Sequence, residues 1–189
     1  ASGDILVDTR SGFRDIGVED DGASVRVGPG ATVRQVNTRL VRHGRKLGPD
    51  PASEIACTIG GVVANNSSGM ACGIVENSYR TVESLLLVLP SGTVLDTALP
   101  DADERLRDSD PDLAAGLLAL RAQLLSSPEN VAFVRRQFSM KNTMGYGINA
   151  LLDFDTPVEA LAHLIVGSEG TLAFVSSATF RTVPIQKHI

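Results

Sequence analysis

The order of apolar and polar positions divides the chain into short strands and amphipathic helices. Ile5-Leu6-Val7 and Val25-Arg26-Val27 read as strands, with Asp20-Asp21-Gly22 as a turn between them. From Thr32 the spacing becomes helical. Val33, Val36 and Leu40 share one face, and Gly44 stands where a helix-terminating glycine is expected. The polar face holds Arg34, Arg39, Arg42 and Arg45, a solvated face by default or a phosphate-binding stripe as the alternative. Leu85–Leu89 and Thr93–Asp96 flank Pro90-Ser91-Gly92 and predict a hairpin.

The second half is richer in helix signals. Residues 101–112 hold six acids and two arginines and predict an exposed loop, with a spacing that fits no calcium-binding loop. Asp110-Pro111 then sets an N-cap before a proline at the first helical position. Leu113, Leu117, Leu120 and Leu124 form a helical stripe expected in the core. Ser127-Pro128-Glu129 opens another short helix, and Thr156-Pro157-Val158-Glu159 is a capping box for a helix to about Leu164. Leu172 to Val183 has strand composition and ends at Pro184. Strands and helices mix without strict β-α-β repetition, which predicts an α+β fold.

Composition removes several classes. The 189 residues suit one domain, or two small ones, and 43% hydrophobic content is enough for a core. A net charge of −5 disfavours general nucleic-acid binding, which needs cations to displace phosphate counterions. The absence of Trp and 4% aromatic content disfavour base-stacking platforms. No apolar run approaches a transmembrane span, and no signal peptide opens the chain. Cys57 and Cys72 are too few for a disulfide framework and read as reduced, buried hydrophobes of a cytoplasmic protein. The abrupt start into strand-like sequence suggests a piece of something longer or a domain that simply begins this way.

Gly numbers 18 and falls in clusters, which carry the candidate chemistry. Gly28-Pro29-Gly30 only partly matches a dinucleotide fingerprint, since Val33 occupies the third glycine position and Pro29 lacks an N–H. It reads as a strand-to-helix turn. Thr58 through Gly69 joins paired glycines to small residues and two asparagines. Its backbone could approach a flat or anionic ligand, or it could be a tight turn in an ordinary loop. Gly167-Ser168-Glu169-Gly170-Thr171-Leu172 allows a similar approach, with Glu169 orienting a ligand hydroxyl or capping the turn. Lys141 through Gly147 combines a cation, an amide, a phenol and two glycines, as a site lining or a polar surface loop. The histidines at 43, 163 and 188 lack metal-ligand spacing, and no acid–base or nucleophile constellation is visible. Glycine-lined walls without such a cluster point to a cofactor that carries the chemistry itself.

The order of these segments resembles the FAD-linked oxidase family, with its vanillyl-alcohol-oxidase (PCMH) type of flavin-binding fold. The resemblance runs through Pro29-Gly30-Ala31-Thr32, Leu47 to Ser53, Thr58-Ile59-Gly60-Gly61, Asn65 to Gly69, Leu89-Pro90-Ser91-Gly92 and Gly167 to Leu172. Within the family it is similar in particular to D-lactate and D-2-hydroxyglutarate dehydrogenases. Arg136-Gln137-Phe138, Lys141 to Tyr146 and Asn149-Ala150-Leu151 look like the subgroup whose long chains also carry iron–sulfur modules. The fold implied is the second FAD subdomain, an antiparallel sheet flanked by helices. Residues 1–189 would be one partial FAD-binding domain. A first flavin subdomain is expected before Ile5, and a substrate domain with the catalytic residues after Pro184.

The resemblance also implies residue roles. Pro49, Asp50, Pro51 and Ser53 would lie beside the flavin. Thr58, Ile59, Gly60 and Gly61 would approach the isoalloxazine and pyrophosphate with backbone groups. Ala64, Asn65, Ser68 and Gly69 would continue that wall, with Gly73 after Cys72 where the family has Tyr. Gly170, Leu172 and Val175 would line the adenosine-to-flavin stretch. The implied reaction is hydride transfer from C2 of a D-2-hydroxy acid to flavin N5, with a base outside this chain taking the hydroxyl proton. Electrons would pass on to iron–sulfur centres or another acceptor, in a cytoplasmic or membrane-peripheral enzyme. With one wall of the site, this chain is expected to bind FAD weakly or not at all. The alternatives are an alcohol or sugar oxidase of the same fold, and a non-catalytic domain with a degenerate flavin site.

Overall fold

The computed structural model describes residues 7–186. Its centre is an antiparallel sheet of β1 (Ile16–Glu19), β2 (Ser24–Val27), β3 (Arg45–Leu47), β4 (Val82–Val88), β5 (Val94–Asp96) and β6 (Phe174–Pro184). The order is β1-β2-β6-β4-β5, and β3 pairs with the end of β6. β6 is the longest strand and the organising one. Val25 pairs opposite Phe180 on one side, and Leu85 opposite Ala178 on the other.

Alternation sets the two faces of the sheet. Val25, Val27, Leu85, Leu87, Ala178 and Phe180 point into the core, while Arg26 meets Ser177 on the polar face. Phe180 is fully buried, and burial of a ring that size contributes about 1.5–3 kcal/mol. The helices pack over the apolar face: α1 (Val33–Leu40), α2 (Ile59–Ala64), α3 (Ser78–Thr81), α4 (Ala102–Ser109), α5 (Pro111–Leu125), α6 (Pro128–Phe138), α7 (Ala150–Asp153) and α8 (Pro157–Ile165). The α+β class and the antiparallel sheet with flanking helices are as expected.

Local signals explain several boundaries. Thr32 accepts from Gln35 N–H while the Gln35 side chain accepts from Thr32 N–H, so a complete capping box starts α1. Thr156 caps α8 by accepting from Glu159 N–H, but the Glu159 carboxylate accepts from the Thr156 hydroxyl and not from its N–H, so the expected box is only half formed. Gly44 has φ +66°, the left-handed value a terminating glycine adopts. The 20–22 turn leads into β2 as expected, but its partner strand is Ile16–Glu19. The predicted strand at Ile5-Leu6-Val7 lies outside the described residues except for Val7, which is not in a strand.

Three other expectations are corrected. Residues 102–109 form α4, not a loop. Only Ala102 and Leu106 are buried, too few apolar positions to show a period, and of the charged residues only Asp103 is half-buried while the rest are exposed. The Thr58–Gly69 segment is not a turn in an ordinary loop, because its first half forms α2 over Ile59–Ala64. On α5, Leu117 is buried and Leu113 and Leu124 are half-buried, but Leu120 is 53% exposed. The helix packs on α4, α7 and α8, and the turn of the spiral carries Leu120 away from them.

A candidate cofactor cleft

Two glycine segments more than a hundred residues apart in sequence meet across a cleft of about 610 Å³. One wall is the start of α2, with Thr58, Gly60, Gly61 and Ala64. The facing wall is the approach to β6, with Gly170, Leu172 and Val175. The β6 approach is held to the end of α2 by Gly167 N–H to Val63 O (2.9 Å) and Glu169 N–H to Ala64 O (2.8 Å). Glu169 itself has a positive φ and turns its backbone there.

The α2 wall is braced from behind. Ile59 N–H donates to Ala31 O at 2.8 Å, and Gly60 N–H donates to Pro29 O at 2.9 Å. Those two N–H groups are therefore already used and form no anion-binding nest. A Cβ at Gly60 would lie 2.9 Å from Pro29 Cβ, so the glycine is required by packing. Gly61 differs. A Cβ there would meet only Thr58 Oγ1 at 3.7 Å, and one at Gly170 would meet nothing within 4 Å. Both line the cleft, so their backbones are left open to it.

Among the described residues, the lining contains no charged side chain. Val88, Leu89, Pro90, Phe174 and Val175 make it mostly apolar, with Thr9, Thr58 and Thr171 as polar points. Such walls suit a flat aromatic ring system and, apart from threonine hydroxyls, offer no acid or base for proton transfer. Pro29, Leu89, Pro90, Thr171 and Phe174 were not singled out as site residues. Their signal was present in the motif order, where Pro29 and Leu89-Pro90 occur, but nothing local marks them as lining.

The remaining predicted residues lie elsewhere. Ile59 is fully buried, so its side chain belongs to the core. Asp50 ties two loops together, its carboxylate accepting from the N–H groups of Gly69 (3.0 Å), Ala71 (3.1 Å) and Cys72 (3.1 Å). Burial alone would raise its pKa. Hydrogen bonds from Cys72, Ala71 and Gly69 outweigh burial and hold the carboxyl below its usual range. Burial pushes the Cys72 thiol up, which keeps it protonated and inert. A Cβ at Gly69 would lie 2.0 Å from Asp50 O, so that glycine, too, answers to packing. Pro49 and Pro51 are buried in the same loop, Ser53 is exposed, and its carbonyl accepts from Ala56 and Cys57. Asn65 donates to Ser67 Oγ, and Gly73 takes a left-handed φ of +52°.

The Lys141–Gly147 loop bridges these parts. Lys141 Nζ donates to Ser68 O (3.2 Å), and the Tyr146 hydroxyl lies 2.8 Å from Thr171 Oγ1 at the cleft. Below the loop, Asp153 Oδ2 accepts from Tyr79 Oη (2.8 Å) and Asn149 Nδ2 (3.1 Å). Burial and the Asp153 carboxylate raise the Tyr79 pKa. Among the described residues, no three His, Cys, Asp or Glu side chains are grouped to hold a metal ion. No helix among them is long and apolar enough to cross a membrane.

A family model and several known proteins match the chain. The FAD binding domain family model matches residues 1–98. The chain is 26% identical to a D-lactate dehydrogenase of Archaeoglobus fulgidus over 88% of this chain and 26% of that protein. It is 27% identical to a D-2-hydroxyglutarate dehydrogenase of Pantoea ananatis over 86% of this chain and 16% of that protein. The chain thus spans about a quarter or less of the length of these relatives. A solved alkyldihydroxyacetonephosphate synthase superimposes with a TM-score of 0.54 at 18% identity, over 96% of this chain and 23% of that one. That likeness shows a shared fold.

Proposed function

The chain belongs to the FAD-binding domain family, and on that premise we propose that it supplies one wall of the FAD site of a flavin-dependent D-2-hydroxy acid dehydrogenase. The cleft between α2 and the β6 approach carries this reading. Two glycines, Gly61 and Gly170, leave its walls open where a flat ring would lie, and the rest of the lining is mainly apolar. Thr58, Gly60, Gly61 and Ala64 would hold the cofactor from one side, and Gly170, Leu172 and Val175 from the other. Bound FAD supplies the hydride acceptor. The chain's own residues position it and exclude water, and the described lining contributes no acid or base.

Residues 1–189 in this reading are the second FAD subdomain. The first subdomain, the substrate-binding part and the catalytic base lie in other residues of the complete enzyme, as does any iron–sulfur centre. The similarity to D-lactate and D-2-hydroxyglutarate dehydrogenases supports the hydroxy-acid class. Pro49, Asp50, Pro51, Ser53, Asn65, Ser68, Gly69 and Gly73 do not line the cleft, and Asp50 acts on this part of the fold by tying residues 48–53 to residues 69–72.

The test is anaerobic reduction of the flavin in the complete polypeptide. D-lactate or D-2-hydroxyglutarate is expected to bleach the flavin absorbance, and sugars and primary alcohols are not. Bleaching by a sugar alone would move the enzyme to another reaction on this fold. A complete polypeptide that purifies without flavin and does not bind added FAD would overturn the reading altogether.

A further inference from the structure

A second recess, of about 50 Å³, lies between the segment from Asn66 to Arg80 and the Lys141–Gly147 loop. It is separate from the cofactor cleft in its lining, and the function proposed above does not use it. In a chain of net charge −5, the described residues that line this recess include two cations, Arg80 and Lys141, and no carboxylate.

Its amides strengthen that polarity. Asn66 Oδ1 accepts from Tyr79 N–H, Asn77 Oδ1 accepts from Arg80 N–H, and Asn142 Oδ1 accepts from Met144 N–H. Each of these carbonyl ends is committed to the backbone, which leaves the NH₂ ends of Asn66, Asn77 and Asn142 as the available groups, while a fourth lining asparagine, Asn149, donates its Nδ2 to Asp153 and has a buried Oδ1 with no hydrogen-bond partner among the described residues. Arg80 Nη1 lies 3.9 Å from Asp153 Oδ2, so it is partly balanced, while Lys141 makes its hydrogen bond to a neutral carbonyl. The remainder of the lining includes Ile74, Phe138, Met140 and Val166.

We propose that this recess binds a small carboxylate. The charged end meets the Arg80 and Lys141 cations and the asparagine NH₂ groups, and a short alkyl stem meets the apolar side chains. A guanidinium and amide donors suit a planar oxyanion. Inorganic phosphate would use the cations and leave the apolar lining unmatched. The volume admits a few waters or a ligand of similar bulk, which limits the stem to a few carbons. The binding itself is independent of the flavin reading, and only the identification of this carboxylate with the enzyme's substrate would rest on it.

The experiment titrates the chain, without flavin, with sodium propionate, sodium D-lactate, sodium phosphate and sodium chloride at constant ionic strength. Amide NMR shifts of Asn77, Arg80 and residues 141–147 are followed. Saturable shifts with the carboxylates, weaker by about tenfold with phosphate and linear with chloride, are expected. Lys141→Gln should weaken carboxylate binding about three- to tenfold and leave the shifts of core amides such as Phe180 unchanged. Asn142→Ala provides a second, uncharged lesion with the same direction. The proposal is overturned if carboxylates and chloride give the same linear response, if phosphate binds more tightly than propionate, or if both variants bind as the parent does. A positive flavin assay on the complete polypeptide alongside any of these results would leave the cofactor reading standing while this one fails.

Discussion

Gly60 and Pro29 are locked together: Gly60 N–H donates to Pro29 O at 2.9 Å, and a Cβ on Gly60 would lie 2.9 Å from Pro29 Cβ. This contact holds the first turn of α2 against the β2–α1 turn and so fixes one wall of the cleft. Gly60→Ala is expected to cost about 1–3 kcal/mol by overpacking. A lowered denaturant midpoint would show it, and a midpoint equal to the parent's would refute the packing role.

Gly61 is adjacent in sequence and opposite in consequence. Its Cβ position is open apart from Thr58 Oγ1 at 3.7 Å. Gly61→Ala should keep or raise stability, by up to about 1 kcal/mol, because alanine favours the helix. In the complete flavoprotein the same methyl group would enter the cleft and weaken FAD binding about tenfold. Fluorescence titration of the apoprotein measures this, and undiminished affinity would place the flavin elsewhere.

Asp50 joins the 48–53 loop to residues 69–72 through three backbone amides. Asp50→Asn should destabilise by about 1–2 kcal/mol, since an amide NH₂ would then face backbone donors. The sign of the pH effect follows from the lowered folded pKa. Stability from this group is present above the unfolded value of about 3.9 and is lost as pH falls through the lowered folded value. Urea midpoints measured down the acid range should lose that component in D50N. An identical acid limb in both proteins would contradict it.

His163 stacks on Phe154, with ring centroids 3.8 Å apart, and its Nδ1 lies 2.9 Å from Glu159 O. Burial lowers its pKa from the ordinary 6.5. Both states hold the ring neutral above that value. As pH falls below about 6.5 the unfolded chain takes up the proton first, so folding stability drops until the lowered folded pKa is passed. His163→Phe keeps the stacking and should flatten this part of the pH–stability curve. The check is chemical denaturation from neutral to mildly acidic pH, and an unchanged slope in the variant would exclude His163 as its source.

Asp103 on α4 accepts from Val158 N–H at 3.0 Å and so satisfies an N-terminal donor of α8 from another helix. Asp103→Ala should cost about 0.5–2 kcal/mol, the range of a lost helix cap. Asp103→Asn, which keeps an acceptor, should recover most of it. Thermal denaturation of the two variants distinguishes a cap from a surface charge, for which both would match the parent.

The sequence by itself determined the α+β class, the capped starts of α1 and α8, the proline-led starts of α5 and α6, the β4–β5 hairpin, and the order of glycine motifs that marks the FAD-linked family. These are local: a cap, a proline or a period-two stripe acts within a few residues of itself. The tertiary structure decided what those signals could not reach. Residues 102–109 are helical because Ala102 and Leu106 find a core, and Leu120 is exposed because α5 turns it away from its neighbours. It also separated glycines that look alike in sequence, since Gly60 is kept by its contact with Pro29 and Gly69 by its contact with Asp50, while Gly61 and Gly170 open onto the cleft. Whether a missing Cβ makes room for a neighbour or for a ligand depends on which distant segment packs against it, and only the folded chain brings that segment into place.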